Sequence, residues 1–157
     1  MALVAGYLEA RRDEDVARLR RVLALRAMVA SGMSQRQIAV ALGVSQPAVS
    51  QQLKHGPDLA QVAPGVLLDA ASVVLTSLAA ERGFTKLAVF GSVARGEARP
   101  DSDIDLIVQA PQGASSFDLI RFKLLLEQVL GRPIDLVDYG GLTPGLDDDI
   151  RREAVLL

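Results

Sequence analysis

Asp103 and Asp105 stand at the head of an apolar run, Ile104-Asp105-Leu106-Ile107-Val108, and an earlier apolar run, Lys86-Leu87-Ala88-Val89-Phe90, ends in Gly91-Ser92. Strand side chains alternate between faces, so the two carboxylates are expected on one side while Ile104 and Leu106 enter the core. Adjacent carboxylates repel each other unless a cation lies between them. Oxygen-only ligands suit Mg²⁺, which takes one or two carboxylates together with substrate phosphates. Gly91 lets backbone approach a phosphate, and a helix starting at Ser92 would offer it free N–H groups. The stretch therefore reads as a nucleoside-triphosphate and metal site. The plainer reading of the two aspartates is an acidic strand edge that discourages aggregation. It leaves the Gly-Ser turn and a further strand aspartate, Asp135, as coincidences.

Gly91-Ser92, ten intervening residues and Asp103-Ile104-Asp105 resemble the signature of the nucleotidyltransferase superfamily related to DNA polymerase beta. The fuller string from Phe90 to Val108 resembles the minimal nucleotidyltransferase branch, whose members often pair with HEPN partners in toxin–antitoxin modules. The resemblance covers about residues 66 to 157. It implies a third carboxylate beside the Asp-x-Asp pair, and Asp135, between Ile134 and Leu136, matches that place. Asp103, Asp105 and Asp135 could then hold two Mg²⁺ ions, one on the triphosphate and one lowering the pKa of the attacking hydroxyl. Gly91 and Ser92 would hold phosphates. Arg95 either neutralises phosphate charge or, like Arg99, pairs with Glu97 or Asp101. Asp138 reads as solvated, and Asp147-Asp148-Asp149 as acids complementing a helix dipole.

The chain has 157 residues, enough for one ordinary domain or two small ones. No cysteine is present, which removes disulfides, thiolate zinc sites and cysteine nucleophiles, and a single histidine leaves no histidine-based metal cluster. No apolar run is read as membrane-spanning, and Met1 to Leu8 lacks a basic leader, so a cytoplasmic protein is expected. Residues 1–57 carry eight Lys/Arg against four Asp/Glu, a balance of +4; residues 58–157 carry nine against fifteen, a balance of −6. Such asymmetry points to a basic, nucleic-acid-facing part joined to an acidic part. The boundary is expected at His55-Gly56-Pro57.

In the basic part, three- and four-residue steps through Val16, Leu19, Leu23, Ala27 and Ala30 predict a helix from about Asp13 to Ala30. Its arginines read first as a solvated face. Ser34 and Gln37 form a capping-box pattern for a short helix marked by Ile38, Ala39 and Leu42. Gly43-Val44-Ser45 is a turn, and Gln46 to Lys54 a second helix that buries Val49 and Leu53, with Val44 beside them. The run Val44 to Ser50 resembles the helix-turn-helix of bacterial transcription regulators. In that arrangement Ser45, Gln46, Ser50 and Gln51 would face bases, while Arg36 and Lys54 would meet phosphate. The plainer alternative is a helical dimerisation or docking module. His55 reads as structural or as a phosphate contact.

In the acidic part, Val66 to Ala80 reads as a buried helix, and Lys86–Phe90 and Asp103–Gln109 as strands. A helix over Phe117–Leu130, capped by Ser115 or Ser116, precedes a strand over Pro133–Asp138. Thr143-Pro144 opens a last helix ending near Glu153, and Ala154–Leu157 is a tail or edge strand. The expected class is α+β: an all-α helix-turn-helix domain over residues 1–57, then a small α/β nucleotidyltransferase domain with a mixed sheet over residues 58–157. By resemblance the function is Mg²⁺-dependent transfer of AMP from ATP, or NMP from another NTP, to a hydroxyl of a HEPN-type toxin. A DNA-binding homodimer would repress its own operon. The alternatives are a DNA-binding regulator whose second domain senses nucleotide or docks a partner without turnover, and a small-molecule adenylyltransferase.

Overall fold

The computed structural model describes residues 1–157, which separate into two compact units, Met1–Pro57 and Asp58–Leu157. The first is helical. Helix α1 runs over Ala2–Ala30, α2 over Gln35–Leu42 and α3 over Gln46–Lys54. Ser34 Oγ accepts from the Gln37 amide at 3.1 Å and Gln37 Oε1 accepts from the Ser34 amide at 2.8 Å, closing the capping box. Gly43 ends α2 in the left-handed region at φ 68°, a turn that a side chain would strain. Ser45 Oγ then caps α3 by accepting from the Ala48 amide. Leu25, Ile38, Ala39 and Val49 form the core of this unit, with Met28, Met33 and Leu53 packed around them.

Three expectations for this unit are corrected. Helix α1 begins at Ala2, a full eleven residues before Asp13, because the Ala-, Leu-, Glu- and Arg-rich start has helix propensity without core periodicity. Val16 is 36% exposed and lies outside the core. Val44, at 42% exposed, flanks the turn and does not bury its far side.

The second unit opens with a 3-10 turn over Leu59–Gln61 and helix α4 over Pro64–Glu81. Strand β1 (Thr85–Phe90) leads into a single helical turn, α5 (Gly91–Ala94). Strand β2 (Ile104–Gln109), helix α6 (Ser116–Leu130) and strand β3 (Ile134–Asp138) follow. A 3-10 turn over Tyr139–Gly141, helix α7 (Asp148–Glu153) and strand β4 (Val155–Leu156) complete it. The four strands make one mixed sheet in the order β3-β2-β1-β4, with β1 antiparallel to β2 and β4, and β2 parallel to β3. The β2–α6–β3 crossover makes that parallel pair possible, since parallel strands need a long connection. Helix α4 packs on β1 and α6 on β3. Ile104, Leu106, Ile107 and Val108 are fully buried, and Phe84 stacks on Phe122 with ring centroids 4.3 Å apart.

Helix α4, 18 residues with mean hydropathy 1.3, is long and apolar enough to cross a membrane by length and composition. Its Leu67, Leu68, Ala71 and Leu75 are buried within the protein, the pattern of a core helix. The expected helix from Thr143-Pro144 is shorter than predicted. Gly145 sits at φ 87°, and Asp147 Oδ2 accepts from the Thr143 amide at 2.6 Å; the Leu146 and Asp147 amides close an isolated turn on the Thr143 carbonyl, and the helix itself spans only Asp148–Glu153. Asp148 and Asp149 occupy its first turn, as the dipole reading requires.

Candidate active site

Two registers assemble the acidic end of the sheet. Antiparallel pairing sets Phe90 opposite Asp105, and parallel pairing sets Asp135 opposite Asp105 on the other side. Asp105 is thus flanked by the end of β1 and the start of β3. Its neighbours Ile104 and Leu106 are buried, so its own side chain is forced to the other face, where it is half-buried. Asp103 precedes β2 by one residue and is exposed, as is Asp135.

Gly91 follows Phe90 and closes over Asp105. Its φ of 72° lies in the left-handed region, and a Cβ built there would collide with Asp105 Oδ2. Glycine is therefore required twice at this position, by backbone conformation and by the carboxylate it covers. Ser92 lies in the turn, which is closed by hydrogen bonds from the Arg95 amide to the Gly91 carbonyl at 3.1 Å and from the Glu97 amide to the Ser92 carbonyl at 2.9 Å. First-turn amides have no partner within a helix and point outward.

Burial raises the Asp105 pKa, and the negative charges of Asp135 and Asp103 and a hydrogen bond with Asp135 raise it further; the Arg95 charge opposes them. Like charges are concentrated on a partly desolvated carboxyl, the condition a hard cation relieves. The donor set is all oxygen and fits Mg²⁺ in kind. As placed, however, the His, Cys, Asp and Glu side chains form no ready group of three ligands. Asp105 is the hub, and Asp103 and Asp135 stand around it.

Arg95 was expected either on phosphate or in an ion pair. Its guanidinium pairs with Glu97 at 3.1 Å and with Glu153 of α7 at 3.0 Å. The first partner is local and legible in sequence; Glu153, 58 positions away, is not. Arg95 nonetheless acts on Asp105 through its charge. Asp138, read as solvated, is half-buried and accepts from the Ala110 amide at 3.3 Å and the Gly140 amide at 3.1 Å, fastening the end of β3 to the exit of β2. Arg132, which the sequence did not single out, donates to the carbonyls of Val62, Pro100 and Ser102.

In the first unit, Arg36, Ser45, Gln46, Gln51 and Lys54 are exposed and Ser50 is half-buried. Gln46 Nε2 donates to Gln35 Oε1 at 2.7 Å, tying the start of α3 to the start of α2. Ser45 Oγ is engaged as the α3 cap. His55 ends α3, and its carbonyl accepts from Arg18 at 2.7 Å, so its backbone has a structural task.

Comparison with known proteins bears on the second unit. A Methanocaldococcus jannaschii protein named "Putative protein adenylyltransferase" is 43% identical over 75 residues, covering 48% of this chain and 81% of its own. "Protein adenylyltransferase MntA" of Thermococcus cleftensis is 38% identical over 73 residues, covering 46% of this chain and 74% of its own. A solved structure described as that of a "putative minimal nucleotidyltransferase" superposes with a TM-score of 0.53 at 47% identity, over 57% of this chain and 92% of that one. The model of the family described as "Nucleotidyltransferase domain" matches residues 73–157, which hold Gly91, Ser92, Asp103, Asp105 and Asp135. The chain belongs to the nucleotidyltransferase domain family, and its mixed sheet has the minimal nucleotidyltransferase fold.

Proposed function

We propose that the second unit transfers AMP from ATP to a side-chain hydroxyl of a partner protein, a HEPN-type toxin, and that the first unit binds operator DNA as a homodimer and represses the same operon. The observation that carries the chemistry is the register placing Asp105 between Gly91 and Asp135. Support for a protein acceptor comes from the two relatives named as protein adenylyltransferases.

In this reading the acceptor oxygen bonds to the α-phosphorus, and the bond from that phosphorus to the oxygen of the β-phosphate breaks. Pyrophosphate leaves, and the hydroxyl proton passes to a carboxylate of the trio. Asp103, Asp105 and Asp135 would hold Mg²⁺, which supplies positive charge for the triphosphate and for the acceptor oxygen. Gly91 admits the triphosphate close to the backbone, and Ser92 meets it with its amide and hydroxyl. Arg95 steadies the turn through Glu97 and Glu153 and adds positive charge nearby.

For DNA, Gln46 and Gln51 would read base edges with Ser45 and Ser50, while Arg36 and Lys54 meet phosphates. The bond from Gln46 Nε2 to Gln35 leaves Gln46 Oε1 as an acceptor and fixes the side chain's direction. Ser45 still has its hydroxyl proton to donate.

A second reading, a DNA-bound regulator whose nucleotidyltransferase unit binds nucleotide without turnover, is favoured by the lack of a ready three-ligand group. One experiment separates the two. The protein is incubated with α-labelled ATP, Mg²⁺ and a co-expressed neighbouring gene product. Catalysis predicts label on that product, lost by about 10³-fold or more in Asp103→Ala/Asp105→Ala. Absence of label with DNA binding intact would favour the regulator.

A further inference from the structure

We infer that Arg132 is a positioning residue that holds Asp103 in place for the metal and nucleotide. Asp103 is the least constrained of the three carboxylates. It lies outside β2, which starts at Ile104, and its side chain is exposed. What precedes it is a tight turn. The Ser102 amide donates to the Arg99 carbonyl at 2.9 Å, and the Arg99 amide donates to Ser102 Oγ at 2.7 Å.

Arg132 clamps this turn from the segment leading into β3. Ile104 pairs with Ile134 in the parallel register, which carried back two residues sets Arg132 beside Ser102. One guanidinium nitrogen, Nη2, donates to the carbonyls of Pro100 at 2.9 Å and Ser102 at 3.1 Å. The other, Nη1, donates to the carbonyl of Val62 at 3.1 Å, ahead of α4. A charged donor makes stronger bonds than a neutral one, and the planar fork holds its acceptors at fixed angles. The turn is thereby fastened both to the lead-in of β3 and to the segment before α4.

The same lead-in delivers Asp135 three residues later. One stretch of chain, Arg132 to Asp135, therefore supplies one carboxylate and fixes the approach of another. Without the clamp the Arg99–Ser102 turn is free to pivot about Ile104, whose burial anchors only the far side of Asp103. Lysine cannot replace the function fully, because a single ammonium cannot span carbonyls on both sides at the guanidinium's angles.

The inference rests on the metal-assisted nucleotidyl transfer proposed above, and its test has a readout that does not depend on turnover. Arg132→Ala and Arg132→Lys full-length proteins are compared with wild type by amide hydrogen exchange, by thermal melting, and by the Mg²⁺ concentration giving half-maximal binding of a fluorescent ATP analogue. Expected are faster exchange at Ser102, Asp103 and Ile104 with Leu106–Val108 unchanged, and a half-saturating Mg²⁺ raised by about tenfold or more in Arg132→Ala. Arg132→Lys should fall between. Where transfer is measured, kcat at limiting Mg²⁺ should fall more than KM for ATP rises.

If Arg132→Ala does not fold, Arg132→Lys carries the test. A folded variant with wild-type exchange and wild-type Mg²⁺ dependence overturns the inference. A wild type that binds no ATP analogue at any Mg²⁺ concentration overturns the metal reading, and the clamp is then decided by exchange alone.

Discussion

In Met1–Pro57 the polar side chains with candidate roles sit on α3, the turn before it and, for Arg36, the start of the adjacent α2, all close in sequence, whereas the carboxylates of Asp58–Leu157 come from separate segments and meet only through strand register. Ser34 and Ser45 cap their own helices, and Gln46 is oriented by Gln35 on the neighbouring helix. Asp105, by contrast, has its environment set by Phe90, Gly91 and Asp135 from two other strands. A helix surface is local and easy to foresee, yet it leaves its ligand open. An assembled site is non-local, but once assembled its crowded charges and tight glycine admit few chemistries.

The sharpest way to break this contrast is Gly91→Ala. The added methyl meets the Asp105 carboxylate, and the left-handed backbone costs about 1–2 kcal/mol for a residue with a Cβ. Transfer should fall by about 10²-fold, while operator binding by the first unit stays at the wild-type level. A label-transfer assay beside a gel shift on the same preparation measures both, and equal losses in the two assays would erase the distinction.

A smaller effect is expected from Gln46→Ala, which removes both the Gln35 bond and the base-edge acceptor Oε1. Its gel shift on the protein's own upstream DNA should weaken by about 1–3 kcal/mol and fade with added salt. Transfer should be unaffected.

The smallest effect is on stability and has a defined sign. The Asp105 pKa is raised in the fold by burial and by Asp135 and Asp103. Its stabilising contribution is therefore full below the unfolded carboxylate value and is lost as pH rises through the raised one. At neutral pH the ionised group opposes folding of the metal-free protein. Asp105→Asn should accordingly raise the metal-free melting temperature by about a few degrees at pH 7, an advantage that shrinks as pH falls into the ordinary carboxylate range. Scanning calorimetry across that range reads it, and a lowered melting temperature at neutral pH would contradict the charge crowding.

Much of the second unit was legible because its signals are local. Gly91-Ser92, the apolar runs on either side and Gly131 after α6 mark strand, turn and helix ends within a few residues. The Ser34–Gln37 capping box was readable for the same reason. The first eleven residues of α1 were not, since Leu3, Val4, Tyr7 and Leu8 are exposed and follow no core periodicity. Contacts across long separations were also hidden. Nothing near Arg95 announces Glu153, nothing near Arg132 announces Pro100 and Ser102, and nothing near Asp138 announces Ala110. These are the contacts that turn a list of acidic residues into a positioned site, and they depend on the closed sheet. Asp135 was reached only because the resemblance supplied a place for a third carboxylate, and the parallel register then supplied its neighbour.

In the proposed function, Asp105 and its neighbours serve nucleotidyl transfer. The most direct measurement runs two parallel incubations of wild-type protein, Mg²⁺ and acceptor, one with ATP labelled at the α-phosphate and one with ATP labelled at the γ-phosphate. The predicted result is α-label covalently on the acceptor, γ-label released as pyrophosphate, and neither outcome in Asp103→Ala/Asp105→Ala. Label on the acceptor from γ-labelled ATP, or α-label transferred equally well by the double variant, would contradict it.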